Sequence, residues 1–122
     1  MKIFYAVLGV FLLLLAGVAI NAVYVHRVAG ELNARVDAIA ALPCRESYPS
    51  AMELSAYWRR HRNIAGLSVS YTVIDRVSET AESLVAAAEA GDVFGRQQAI
   101  AMLRDAVEDL ERLETFSIGN LF

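Results

Sequence analysis

Residues Ile3–Val25 form 23 consecutive positions without a charge, broken in polarity only by Gly9, Gly17 and Asn21. As a helix rising about 1.5 Å per residue, this stretch is about 35 Å long, enough for a hydrocarbon core of about 30 Å. Fourteen of the 23 residues are Leu, Ile, Val or Phe. At roughly −0.3 to −0.6 kcal/mol each near the helix centre, they favour insertion by several kcal/mol. A chain of 122 residues has no soluble core large enough to hide a helix that is apolar all round. The feature predicts a transmembrane helix over residues 1–25 and a second unit over residues 26–122.

The competing reading is a cleaved signal peptide. Lys2 supplies a short positive start, and Gly17-Val18-Ala19 or Ile20-Asn21-Ala22 offers small residues for a peptidase. The apolar run continues past both sites to Val25, longer than the usual 7–15-residue apolar region of such a peptide, and this favours a retained anchor. Lys2 and the amino terminus precede the span, while Arg27 and Arg35 follow it, so the positive-inside comparison is nearly balanced. Only two residues stand before the span, as in a signal anchor. The expectation is a single-pass protein of the cell membrane whose C-terminal domain is extracytoplasmic.

Beyond the span the composition is ordinary, with 48 of the 97 residues from His26 to Phe122 apolar. With 1 Cys, 7 Gly and 2 Pro in the whole chain, disulfide scaffolds, collagen and low-complexity proteins are excluded. The apolar positions recur with a period near 3.6, which predicts an all-α protein. Val25, Val28, Leu32, Val36 and Ile39 continue the membrane helix as a stalk that stops before Pro43. Pro43–Pro49 reads as a turn, after which Ser50 and Glu53 form an S-x-x-E capping box for a second helix. Leu54, Tyr57, Trp58, His61, Ile64 and Ala65 share one side of that helix. A third helix buries Val73, Ile74, Val77, Ala81, Leu84, Val85 and Ala88. Gly91 ends it and Asp92 caps a fourth, which buries Ile100, Leu103, Ala106, Val107, Leu110 and Leu113.

At 100° per residue, the apolar faces of the second and third helices differ by roughly 180° if no break intervenes. Either the chain bends at Gly66–Ser70 into a small antiparallel bundle, or residues 51–90 form one long helix flanked on two sides. The cluster of Gly66, Ser68 and Ser70 favours the bend. Charge is uneven as well: residues 26–69 carry a net +2 and residues 70–122 a net −6.

The order of these features resembles a known family. An N-terminal membrane helix, Tyr57-Trp58-Arg59-Arg60, Ile74-Asp75, Gly91-Asp92 and an acidic helix closing on Asn120-Leu121-Phe122 resemble the bacterial domain-of-unknown-function family 4363. The resemblance implies a small, membrane-anchored, helical bacterial protein with no assigned activity. Tyr71 and Val73 stand where family members often carry His and Glu, and Pro43, Cys44 and Pro49 are not features associated with the family.

Few residues offer chemistry. Trp58, Arg59, Arg60, His61 and Arg62 form the densest basic and aromatic cluster. It is an interaction surface for anionic lipid headgroups if it is more than a solvated helix face that meets the acidic fourth helix. A pI near 5.3 and an outside location argue against nucleic acid. His61, on the stripe of Leu54, Tyr57 and Trp58, reads as a packed core histidine, and no other ligand stands at a metal-site spacing with it. Cys44, the lone thiol, is a candidate for an intermolecular disulfide. Asp105, Glu108, Asp109, Glu111 and Glu114 fit a solvated face better than a metal site. No phosphate loop, zinc-protease motif or nucleophile elbow is present. The expectation is a non-enzymatic envelope interaction or structural module, without catalytic, cofactor or metal residues. Its partners are the lipid bilayer and a second copy or another envelope protein. The alternatives are a tethered sensor binding a small ligand near Trp58, His61 and Tyr71, and a cleaved, secreted helical protein.

Overall fold

The computed structural model describes residues 1–65 and 71–121, with side chains for residues 1–63 and 71–112. Among these the protein is all-helical. Helix α1 spans Lys2–Ala40, a 3₁₀ turn Arg45–Ser47, α2 Tyr48–Ala65, α3 Tyr71–Ala90 and α4 Val93–Leu121. The sharpest division lies inside α1. Its 39 residues make one rod of about 58 Å. The leading half is open to solvent on every side, with Ile3 80%, Leu13 74% and Ile20 70% exposed. Ala22, Val25, Val28, Ala29, Leu32, Val36 and Ile39 are buried. The segment predicted as a stalk is therefore a wall of the helical bundle, because its 3.6-period stripe is covered by α2 and α4.

Pro43 ends α1 as predicted. Leu42 N–H tightens the last turn by donating to Ile39 O at 3.1 Å. The next helix starts earlier than the capping box implies. Ser47 N–H donates to Pro43 O at 3.0 Å, and its hydroxyl donates to Cys44 O at 2.6 Å. The chain is thus already wound when it reaches Tyr48. Pro49 falls in the first turn of α2, where a missing N–H leaves no helical bond unmade, so Ser50 and Glu53 lie inside the helix and do not cap it.

The corner between α3 and α4 follows the sequence closely. Gly91 adopts φ +69°, a left-handed conformation that glycine enters without a Cβ clash. Gly91 N–H donates to Ala88 O at 3.2 Å and Asp92 N–H to Ala87 O at 2.9 Å, satisfying two carbonyls at the end of α3. Asp92 Oδ1 then accepts from Gly95 N–H at 2.9 Å, capping α4.

The predicted bend at Gly66–Ser70 lies outside the described residues, but the single long helix over 51–90 is excluded. Trp58 Nε1 donates to Ser78 Oγ at 2.8 Å; twenty residues of continuous helix would separate them by about 30 Å. The core joins all four helices around Trp58, Leu32, Ile39, Leu54, Leu84, Leu103 and Leu110. Each such side chain contributes about 1.5–3 kcal/mol on burial. Ala29, Ala51, Ala81, Ala88 and Ala106 are buried between them and let the helix backbones approach.

Arg96 is the residue this core needs and that composition conceals. It is 9% exposed. Its Nη1 donates to Leu42 O at 2.7 Å, Ile39 O at 3.1 Å and Ser47 Oγ at 3.3 Å. A cation from α4 thereby occupies the carbonyl end of α1, where unpaired acceptors and the helix dipole both favour positive charge.

Candidate functional site

The last turns of α2 carry the predicted cluster, and the structure sorts it into different environments. Trp58 is 1% exposed, with its indole N–H used on Ser78, so it belongs to the core and not to an interaction surface. Its bulk and single donor suit that place, because Ser78 Oγ in turn donates to Ile74 O at 3.0 Å. Arg59, Arg60 and Arg62 are exposed and His61 is half-buried.

His61 sits in a polar and aromatic seam between α1 and α2. Tyr24 Oη is hydrogen-bonded to its Nδ1. Tyr57 lies against its ring at 4.3 Å between centroids. Arg35 Cζ stands 4.9 Å from the Tyr57 centroid, a cation–π contact, while its Nε pairs with Glu31 Oε1 at 3.1 Å. Burial pushes the Tyr57 phenol above its ordinary value, and the neighbouring Glu31 carboxylate adds to the rise. The histidine is packed and bonded, as its place on the apolar stripe suggested. The partner Tyr24, 37 positions away, is invisible to helical periodicity.

On the outer side of this seam, Arg35, Glu53, Ala56, Arg59 and Arg60 line an open groove of about 420 Å³. Arg59 Nη2 donates to Ser55 Oγ at 3.2 Å. Among the described residues, no acidic side chain lies within 4.0 Å ion-pair distance of Arg27, Arg59, Arg60 or Arg62. The expectation that Arg59 and Arg60 face the acidic fourth helix is corrected. The acids of α4 meet other arginines, with Arg76 to Asp109 at 2.7 Å and Arg112 to Glu108 at 3.0 Å. Arg104 of α4 reaches back to Asp37 of α1 at 2.7 Å. These exposed pairs are worth about 0–1 kcal/mol each, and they leave the charges of Arg59, Arg60 and Arg62 without an ion pair among the described residues.

Trp58, His61 and Tyr71, the three residues predicted to form a ligand pocket, lie in different surroundings: Trp58 is sealed, His61 is bonded to Tyr24, and Tyr71 is 79% exposed. Cys44 is half-buried and free, its Sγ 3.9 Å from Ala87 O. Among the described residues no group of three or more His, Cys, Asp or Glu side chains is placed to hold a metal ion. No family model, curated protein or solved structure matches this chain significantly.

Proposed function

We propose that this is a single-pass bacterial membrane protein in which the leading half of α1 crosses the bilayer and the remaining helices form a tethered, non-enzymatic interaction or structural module of the envelope. The observation that carries this reading is the division within one uninterrupted helix. The apolar half of α1 is uncovered, while one face of the same helix from Val25 to Ile39 is buried in the bundle. A folded domain that leaves some twenty apolar residues bare requires another apolar phase around them. The contacts of Tyr24 with His61, Arg35 with Tyr57 and Arg104 with Asp37 support an antiparallel order in which α2 and α4 return toward the bilayer beside α1. In this reading the bundle stands directly on the membrane, without a free stalk, on its extracytoplasmic side. The bacterial source rests on the family resemblance, which supplies no activity.

A domain of this size has a thin core, and a second copy or another envelope protein packed beside it adds buried area. Cys44 offers an intermolecular disulfide only where local movement frees its thiol from α3. Chemical crosslinking in intact membranes tests the module reading: a discrete dimer or a single crosslinked partner is expected, and monomer alone under all conditions contradicts it. A membrane-impermeant maleimide on intact cells reports the side, since Cys44 labels before permeabilisation only if the bundle is outside.

A further inference from the structure

The unpaired arginines at the end of α2 have a fixed height relative to the apolar half of α1. His61 is bonded to Tyr24, and Tyr24 is the last aromatic residue of the uncharged run. Arg59, Arg60 and Arg62 are within two residues of His61, and Arg59 and Arg60 share a groove with Arg35, about 16 Å beyond Tyr24 on α1, so the cluster lies between the levels of Tyr24 and Arg35. Arg27 follows Tyr24 by three residues on α1 itself, about 4.5 Å further along. A headgroup layer extends roughly 5–8 Å beyond each face of the hydrocarbon core. Arg27 falls in that layer, and Arg59, Arg60 and Arg62 border it on stems long enough to turn toward the lipid phosphates. Tyr71, 79% exposed at the start of α3, adds an aromatic side chain of the kind enriched at this depth.

We propose that Arg27, Arg59, Arg60 and Arg62 form a binding surface for anionic phospholipid headgroups, seating the bundle on the bilayer by the end of α2. The proposal rests on the membrane reading above. Charge complementarity selects the occupant, because the four cations lack acidic partners among the described residues while Arg76, Arg104 and Arg112 have theirs. The protein as a whole carries −3, so attraction to an anionic surface is local to this patch and depends on its facing the lipid. The acids of α4 are partly neutralised by Arg76 and Arg112.

The test reconstitutes the full chain in phosphatidylcholine vesicles carrying a trace of spin-labelled phosphatidylglycerol or spin-labelled phosphatidylcholine, and reads the motionally restricted fraction of each by electron paramagnetic resonance. Phosphatidylglycerol associates with the wild-type chain at least about fivefold more strongly than phosphatidylcholine, the factor expected for one arginine at a lipid surface. The preference collapses in the Arg59→Gln/Arg60→Gln/Arg62→Gln chain and in about 0.5 M salt, where exposed charges are screened. Near-UV circular dichroism of Trp58 confirms that the variant keeps its core. Equal association of the two lipids with the wild-type chain, or an undiminished preference in the folded variant, overturns the proposal. Absence of any restricted lipid with either probe refutes the membrane reading itself and is distinguishable from both.

Discussion

Replacing Arg96 by methionine separates two opposed physical effects. The guanidinium is nearly enclosed, and burial of a charge opposes folding unless its donors are used. Here one nitrogen serves Ile39 O, Leu42 O and Ser47 Oγ, while Nε is buried without a hydrogen-bond partner. Hydrogen bonds to a charged group contribute about 1.5–3 kcal/mol each, and a carbonyl left unsatisfied in the interior costs about 1–3 kcal/mol. The three contacts share one nitrogen, so their sum is not additive, and desolvation of the cation offsets part of it. Methionine keeps the apolar stem and fills most of the volume, which confines the loss to the polar contacts and the helix-end charge. The net expectation for Arg96→Met is a destabilisation of about 2–4 kcal/mol. For a domain near 100 residues this lowers the unfolding midpoint by roughly 10–25 °C. The assay is thermal unfolding of the full chain in a bilayer nanodisc, followed by the near-UV dichroism of Trp58. Arg96→Lys retains charge but not the planar fork and is expected to fall between the two. An Arg96→Met chain as stable as wild type, or more stable, would mean that desolvation outweighs capping and would refute the reasoning.

Three further predictions probe separate elements. Trp58→Phe keeps most of the core volume but removes the donor to Ser78; a loss of about 1–2 kcal/mol is expected in the same melt, against about 3–5 kcal/mol for Trp58→Ala. Gly91→Ala places a Cβ on a left-handed residue and against the Arg45 side chain, with an expected loss of about 1–2 kcal/mol. Gly91→Asn loses less because asparagine tolerates this conformation, and equal losses for the two would contradict the backbone explanation. Tyr57 titrates above the ordinary tyrosine value of 10.0, and Glu31→Gln lowers its titration by removing a repelling carboxylate. The folded state holds that proton more tightly than the unfolded state, so this contribution to stability is fully present below the ordinary value and is lost as pH rises through the folded one. Ultraviolet difference titration against Tyr57→Phe isolates the group, and a Glu31→Gln curve unchanged from wild type would discount the carboxylate.

Much of the bundle was legible because periodicity reports burial directly. Val25, Val28, Leu32, Val36 and Ile39, the α3 stripe apart from the half-buried Val85, and Ile100 through Leu110 in α4 are where a 3.6-residue repeat puts them. Gly91 and Asp92 were readable for a different reason, since each satisfies a local backbone requirement that few other residues meet. The capping box failed because it ignored what lay upstream: a 3₁₀ turn had already begun the winding, and Pro49 fits a first turn. Arg96 carried a signal that residue type obscured. It lies four positions before Ile100 and seven before Leu103, squarely on the buried stripe, yet its charge suggests solvent. Only the carbonyl end of α1, more than fifty residues earlier, explains why a cation belongs there. The Tyr24–His61 pair and the burial of Trp58 away from its neighbouring arginines likewise depend on contacts between helices. The height of Arg59, Arg60 and Arg62 above the apolar segment emerges from that same long-range register.

Intact-mass analysis of the chain recovered from alkaline-washed membranes tests most directly whether one helix serves both as span and as core. The full 13.3 kDa chain, beginning at its first residues and retained in the lipid pellet, is the predicted result. A shorter polypeptide lacking the residues before Ala22 and released into the supernatant would contradict it.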